Sequence, residues 1–472
     1  MPSFLVAASL ALVAWGALAF GAVYPWAWQP LIAGAGAVGA AGILVAWRRG
    51  ASARGTVVLW ALLAVALMAS LQLVPLSVSL RQALSPASEN FLLAHDLAYS
   101  VFPGPRPLSL YPAMTVRGIV LLFGFSVWLA GLARLFNLTG VVRVAGVLAG
   151  LGVLLALVGI IQLALLGQDV YTGMRIYGFW KPRNVLTTPF GPFVNKNHFA
   201  GWMLMAMPLV AGYAAGLAER GMRGVRATWR DRMLWLSSRD GGRLQLVGFA
   251  LLLMGVSLTL TRSRSGLAAL VVAMLIFTIV AARRSGSVKL AALTGSTLAV
   301  FAVVIVLWAG VNIQQRFGSM NEAVALRRNI WHDAAHIVSD FPLTGTGLNT
   351  FGTAMFQYQT SFPDQRVYEA HNDYLQLAAE GGLLLGVPIV ATLIVFARAV
   401  ARRFGAGEDD TRGYWIRVGA VVGLIAIAVQ SIVEFSLQMP GNAALFVVLA
   451  AIALHRAPAR ASSRPAAAPA RA

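Results

Sequence analysis

The sequence predicts an all-helical integral membrane protein that crosses the bilayer about a dozen times, with one long, partly helical loop before its tenth span. Three observations predict it. Of 472 residues, 58% are hydrophobic and only 11% charged, and the mean hydropathy is +0.73; a soluble domain carries roughly 25% charged residues to keep its surface hydrated. Apolar runs long enough to span a bilayer recur along the whole chain. The 37 Lys and Arg residues gather in short segments between those runs, the pattern of the positive-inside rule.

The runs fall near 3–24, 29–47, 56–77, 115–136, 141–166 and 198–218, and then near 244–261, 266–282, 288–310, 382–401, 413–437 and 441–456. The first lacks a basic leader and a cleavage site, so it is expected to be a retained helix and not a signal peptide. With the N-terminus inside, the loops after even-numbered spans hold Arg48, Arg49 and Arg54, then Arg134 and Arg143, then the run from Arg220 to Arg243. Arg283, Arg284 and Lys289 follow span eight, and Arg402, Arg403 and Arg412 follow span ten. Both termini are therefore expected in the cytoplasm. The tail 457–472, rich in Ala, Pro and Arg, is expected to be disordered. The net charge of +20 thus belongs to membrane topology and implies no nucleic-acid partner. The absence of Cys excludes disulfides, thiolate metal sites and thiol catalysis.

The opposite face owns the loops 78–114, 167–197 and 311–380 and the tight turn 261–265. Pro86, Pro103, Pro105, Pro107 and Pro112 make 78–114 read as an extended, solvated connector. The loop 311–380 reads as a small folded cap. A helix is expected over 321–340, with Asn321 as N-cap and Pro342 beyond its end, followed by a turn at Thr344-Gly345-Thr346-Gly347. A second helical stretch follows; a third begins near His371 and runs into span ten after Gly381-Gly382.

Cationic residues on this face run against the positive-inside rule, so each needs a reason. Arg262 and Arg264 lie in Thr261-Arg262-Ser263-Arg264-Ser265-Gly266, at the mouth of a helical hairpin; Arg327 and Arg328 lie on the expected cap helix, with Trp331 and His332 on the same face as Arg328. Lys196, Arg183, Arg316 and Arg366 join them. Guanidinium forks and free N–H groups at a helix start bind phosphate oxygens, so a lipid diphosphate suits such a cluster. Interfacial snorkelling is the simpler explanation for any single one of them. His371, opening Ala370-His371-Asn372-Asp373 where the loop meets span ten, is the candidate general base. Glu369, His371 and Asp373 can be drawn as metal ligands, but no second dense cluster of carboxylates and His accompanies them; no metal or other cofactor is expected. Glu434, inside the apolar run 413–437, is a functional candidate by its position or a partner for an outer Arg.

Four segments together resemble the O-antigen ligase/polymerase family. Gly191-Pro192-Phe193-Val194-Asn195-Lys196-Asn197-His198-Phe199-Ala200-Gly201 is similar to its sixth-span motif, and Thr261 to Gly266 to its Ser-Arg turn. Arg328-Asn329-Ile330-Trp331, with Pro342 and Gly345-Thr346-Gly347-Leu348-Asn349-Thr350-Phe351, resembles its large-loop signature; His371-Asn372 through Gly382 and Gly386 resembles its His-Asn and Gly pattern. The matches run from about 191 to 386, and the spacing from His371-Asn372 to the Gly residues fits only loosely. The resemblance implies a metal-independent, inverting glycosyltransferase of the GT-C type in the bacterial inner membrane, with its active site in the periplasm. It implies a glycan donor on undecaprenyl diphosphate and an acceptor hydroxyl on lipid A–core, on another glycan or on a protein. On this chain His371 would activate the acceptor; Arg264 and Arg328, with Arg262, Lys196, Asn195 and Asn197, would hold or shape the donor site. The division expected is 1–190 for the first five spans, 191–456 for the ligase-like part with its cap 311–380, and 457–472 for the tail. Polymerases and protein O-oligosaccharyltransferases share the same motifs. A transporter of lipid-linked sugar is the alternative of another class; it predicts polar residues spread through the spans, whereas here the cations crowd at one face.

Overall fold

The computed structural model describes residues 1–50, 57–166, 175–182, 188–223, 228–285, 313–361, 365–406 and 409–456, with backbone alone for 166, 285 and 313–324. The expected span 288–310, the tail 457–472, Arg183 and the side chain of Arg316 lie outside what is described. The membrane part comprises α1 (Pro2–Leu18), α2 (Pro25–Arg48), α3 (Val57–Leu71), α7 (Pro112–Thr139), α8 (Val142–Leu166), α9 (Lys196–Gly221), α11 (Arg239–Leu260), α12 (Arg264–Ser285), α15 (Asp373–Gly405), α16 (Thr411–Gln430) and α17 (Pro440–Leu454). Eight of these are long and apolar enough to cross a membrane, and α1, α3 and α17 are shorter apolar helices; the short α10 (Trp229–Leu236) lies between α9 and α11. The chain is a multi-pass, all-helical membrane protein.

Helix α9 is the central one, enclosed on most sides and packed most extensively against α16. Small residues let their backbones meet: a Cβ on Gly212 would lie 2.2 Å from the Trp415 carbonyl oxygen, and one on Gly419 2.3 Å from that of Pro208. In lipid, where apolar burial alone does not drive helices together, such close contact supplies the dispersion energy of association. With 26 residues, α9 is about 39 Å long. Its Lys196 end and its Gly221 end therefore lie on opposite faces of the bilayer.

Three expected spans end early: that over 56–77 stops at Leu71, and two others stop at breaks within apolar sequence. Helix α1 stops at Leu18, where Phe20, Gly21 and Ala22 take positive φ in a short 3₁₀ turn. Helix α16 stops at Gln430, so Glu434 lies outside the helix, in the turn that leads to α17. Hydropathy alone carried both runs past their backbone breaks, because the residues beyond are still apolar.

The loop 78–114 and the segment from 313 to the start of α15 form one cap at one end of the spans. The loop 78–114 is a folded unit and not the extended connector its prolines suggested: it holds α4 (Val78–Leu84), α5 (Pro86–His95) and α6 (Leu97–Val101). Pro86 and Pro112 start helices, where a missing N–H costs nothing. Fully buried Arg81 donates to Glu89 at 2.8 Å from Nε, and also to the Tyr99 hydroxyl, closing the loop on itself. The second part of the cap holds α13 (Ile313–Asp340) and α14 (Phe351–Tyr358). Helix α13 starts eight residues before Asn321, which is therefore interior to it and not its N-cap. Phe91 and Leu110 of the first loop pack with Ile330, Ile337, Phe341 and Phe351 of the second in a core separate from that of the membrane part.

The cap is fastened to α15 at a break. Gly382 adopts φ 54 and ψ −154, a region reserved for glycine. The carbonyls of Pro342 and Leu343 accept from the Leu383 and Leu384 amides, each at 2.9 Å, while the Thr346 and Gly347 amides donate to the Ala379 and Glu380 carbonyls, each at 3.0 Å. The Glu380 carboxylate accepts from the Asn349 and Phe351 amides at 2.6 and 3.1 Å, satisfying free donors at the start of α14. Buried Gln72, just past α3, donates to the Thr344 and Glu380 carbonyls at 2.8 and 2.9 Å. The Gly345–Phe351 signature is thus a docking segment between cap and span.

Candidate active site

The candidate residues lie where α9, α12, α15 and α17 begin and where α11 and α16 end, beneath the cap. Asn195 caps α9, its Oδ1 accepting from the Asn197 amide at 2.9 Å. The side chain of Asn197 then reaches across to Glu434, donating from Nδ2 to Oε1 at 2.8 Å. Gln430 Nε2 and the Ser436 hydroxyl donate to the Asn197 carbonyl at 3.2 and 3.3 Å, and Asn442 Nδ2 donates to that of His198 at 3.0 Å. The start of α9 is therefore held by the segment that carries Glu434.

The turn between α11 and α12 is built by its small polar residues. The Ser263 hydroxyl accepts from the Gly266 amide at 3.3 Å, and the Thr261 hydroxyl from the Ser263 amide at 3.1 Å. Arg262 sits at φ 56. Gly266 lets the turn approach α9, since a Cβ there would lie 2.7 Å from that of Ala200. This brings Arg262 and Arg264 into electrostatic range of half-buried Lys196.

His371 is the third component. Its φ of 51 is a left-handed backbone that costs a non-glycine residue about 1–3 kcal/mol and persists only where its surroundings over-determine it. They do: the Ala370 amide donates to Gln376 Oε1 at 2.9 Å, the Ala370 carbonyl accepts from Trp331 Nε1 at 2.9 Å, and the Asp373 amide donates to the Ser431 carbonyl at 2.9 Å. Asn372 caps α15 through the Leu375 amide at 3.0 Å. The imidazole lies edge-on to Phe435, ring centroids 4.9 Å apart, and Phe435 meets His198 in the same manner at 4.8 Å.

Glu434 joins the three components. It is 1% exposed; its Oε1 accepts from Arg327 Nη2 at 2.6 Å, and its Oε2 lies 3.8 Å from His371 Nδ1. Burial raises its proton affinity, but neighbouring His371 and Arg327 more than offset this, and the carboxyl is held below its usual range. Glu369 behaves in the opposite way. Burial pushes it up, the Gln376 hydrogen bond lowers it, Glu380 and Asp373 raise it and Arg117 lowers it; the result is about 8. Among the described residues, no three of His, Asp and Glu converge so as to hold a metal ion.

The structure thus brings together Asn197, Glu434, Arg327 and His371, with Lys196, Arg262 and Arg264 as an adjoining cationic group. Arg328 is exposed, one position along α13 from the Arg that enters the site, and no described contact joins it to the others. The adjacent pair Arg327-Arg328 gave no signal in sequence as to which faces inward. The deciding partner, Glu434, lies 107 positions away.

The family model described as O-antigen ligase matches residues 249–390, from α11 to the middle of α15. The matched stretch contains Arg262, Arg264, Arg327, Arg328 and His371, while Asn195, Lys196, Asn197 and Glu434 lie outside it. No curated protein matches the chain. Residues 249–390 of this all-helical, multi-pass chain thus form an O-antigen ligase-like region, which supports assignment to that family of glycan-transferring membrane proteins.

Proposed function

We propose that the protein transfers a glycan from undecaprenyl diphosphate to an acceptor hydroxyl on lipid A–core, at the periplasmic face of the bacterial inner membrane. The observation that carries this reading is that Glu434 faces His371 and also lies in electrostatic range of Lys196, which Arg262 and Arg264 adjoin, under a folded cap at one end of the spans. The basic segments at the opposite helix ends, such as Arg220, Arg223, Arg239, Arg402 and Arg403, favour the cytoplasm for that face.

In the step proposed, His371 takes the proton of the acceptor hydroxyl as its oxygen attacks the anomeric carbon of the donor. The new C–O bond forms as the old one breaks, and the electron pair leaves on the diphosphate oxygen. Attack from the face opposite the leaving group inverts the anomeric centre. Arg262, Arg264, Lys196 and exposed Arg328 supply positive charge to the departing diphosphate, the task that a divalent cation performs in other transferases. Asn195 and Asn197 shape the start of α9, on which Lys196 sits.

Two experiments test it. In proteoliposomes given lipid-linked glycan and lipid A–core, transfer is expected to survive EDTA and to be abolished in folded His371→Ala; undiminished transfer by that variant refutes the role of His371. Deletion of the protein from its cell is expected to leave bare core and free lipid-linked polymer on a lipopolysaccharide gel. Core bearing single repeat units would instead identify a polymerase, and an unchanged ladder with a lost exopolysaccharide or glycoprotein would identify another acceptor.

A further inference from the structure

Glu434 is the most enclosed charged group of the site and has the most unequal pair of oxygens. Oε1 accepts two hydrogen bonds, from Asn197 at 2.8 Å and Arg327 at 2.6 Å. Oε2 is buried and accepts none; it faces His371 Nδ1 at 3.8 Å, and that nitrogen is likewise buried and has no other partner. A buried polar atom left unpaired is costly, so two of them turned toward each other call for a joint explanation. The distance exceeds a direct hydrogen bond, as contacts of catalytic groups often do before substrate binds.

The remaining geometry restricts His371 to this orientation. Its left-handed backbone, φ 51, fixes where the side chain leaves the chain, and Phe435 holds the ring edge-on. No hydrogen bond among the described residues involves Nε2. A carboxylate facing Nδ1 favours the tautomer that carries its hydrogen there, which leaves the Nε2 lone pair to act as base. When Nε2 takes a proton, the same carboxylate balances the imidazolium without taking a proton itself.

We propose that Glu434 is a positioning residue for transfer: it keeps a hydrogen on His371 Nδ1, so that Nε2 is the base, and it compensates the charge His371 acquires. The inference rests on the transferase reading given above. Asn197 and Arg327 set the Glu434 carboxylate itself, since both bind the oxygen that His371 does not face. Other charged or titratable groups around His371 are engaged elsewhere or stand further off. Asp373 accepts from Ser431 at 2.7 Å and Gln438 at 2.9 Å. Glu369 accepts from Gln376 at 2.9 Å. His198 stands across Phe435, and Lys196 lies in electrostatic range of Glu434.

The test uses the full chain in nanodiscs, as wild type, Glu434→Gln, Glu434→Asp and the double variant Arg327→Gln/Glu434→Gln. With undecaprenyl-diphosphate-linked glycan and lipid A–core, Glu434→Gln is expected to lower kcat by about 10²- to 10⁴-fold, with the donor KM changed less than about threefold. The acid limb of its pH profile should move to lower pH, because the imidazolium has lost its counter-charge. Glu434→Asp should recover part of kcat. If Glu434→Gln fails to fold, the double variant, which strands no charge, replaces it and should show the same loss. Wild-type kcat and an unmoved acid limb in a folded Gln variant overturn the proposal.

A second readout needs no substrate. The ¹⁵N spectrum of histidine-labelled protein, with His371 assigned by its loss in His371→Gln, should show the Nδ1–H tautomer in wild type and its depletion in Glu434→Gln; the same tautomer in both overturns the proposal. Should wild type transfer glycan to none of the acceptors offered, the transferase reading fails and not the tautomer assignment, which the spectrum decides by itself.

Discussion

Removing Arg327 should destabilise the protein through the charge it leaves behind. Glu434 is 1% exposed and Arg327 28% exposed, and their closest atoms are 2.6 Å apart. Breaking a buried pair by deleting one partner costs about 3–5 kcal/mol, most of it for the stranded ion. Here Arg327 is partly hydrated, and Asn197 still donates to Oε1 at 2.8 Å, so about 2–3 kcal/mol is expected for Arg327→Gln at neutral pH. Part of that should return in Arg327→Gln/Glu434→Gln, because an amide at position 434 carries no charge to strand. The coupling between the two sites should be about 1–2 kcal/mol. Exposed Arg328→Gln is the control and should change stability by less than about 0.5 kcal/mol. Unfolding of the four proteins in mixed detergent micelles, followed by tryptophan fluorescence, measures each value. Strictly additive losses in the double variant, or equal losses for Arg327→Gln and Arg328→Gln, would refute the pairing.

Gly382→Ala should lose stability and transfer together: its φ of 54 suits glycine alone, and a Cβ there would lie 2.6 Å from the Gly345 amide nitrogen. The backbone alone accounts for about 1–3 kcal/mol, read as a lowered melting midpoint. Lys196→Gln should raise the donor KM by about tenfold or more, the worth of one charge-assisted bond to phosphate, with a smaller effect on kcat; steady-state kinetics over donor concentration checks this. Glu369→Gln should change how stability depends on pH. With a folded value of about 8 against an ordinary 4.5, Glu369 favours the folded state most at low pH, and that contribution is lost as pH rises from the lower value through the higher. The wild type should therefore weaken across this interval more than Glu369→Gln does, as measured by melting midpoints at a series of pH values.

The membrane part of the fold was legible because apolar length is a direct requirement of the bilayer. What escaped were backbone breaks inside apolar sequence. Ser431-Ile432-Val433 is as apolar as a helix end, yet the chain turns there, and Glu434 emerges at the site instead of lying within a span. The loop 78–114 misled for the converse reason: prolines that read as extended structure stand at helix starts, and the residues that fold it, Arg81, Glu89 and Tyr99, pair across 8 and 18 positions without a local pattern. Of the site, His371, Lys196, Arg262 and Arg264 could be singled out because each is a charged or titratable group on the face that ought to lack cations. Arg327 and Glu434 could be named in sequence but not joined, since the contact that gives them meaning is made only in three dimensions.

The fastening at Gly382 sets the unit in which this protein can be altered. Four backbone hydrogen bonds, the Glu380 carboxylate and the Gln72 side chain tie residues 342–351 to the start of α15. A cap transplanted from a relative would arrive with its docking segment but without the matching receptor on the span, and its carbonyls and amides would face apolar surroundings unpaired. Chimaeras meant to exchange acceptor preference should therefore move Gln72, 78–114 and 313–384 as one module, with the junction inside the regular part of α15, where one helix backbone is interchangeable with another.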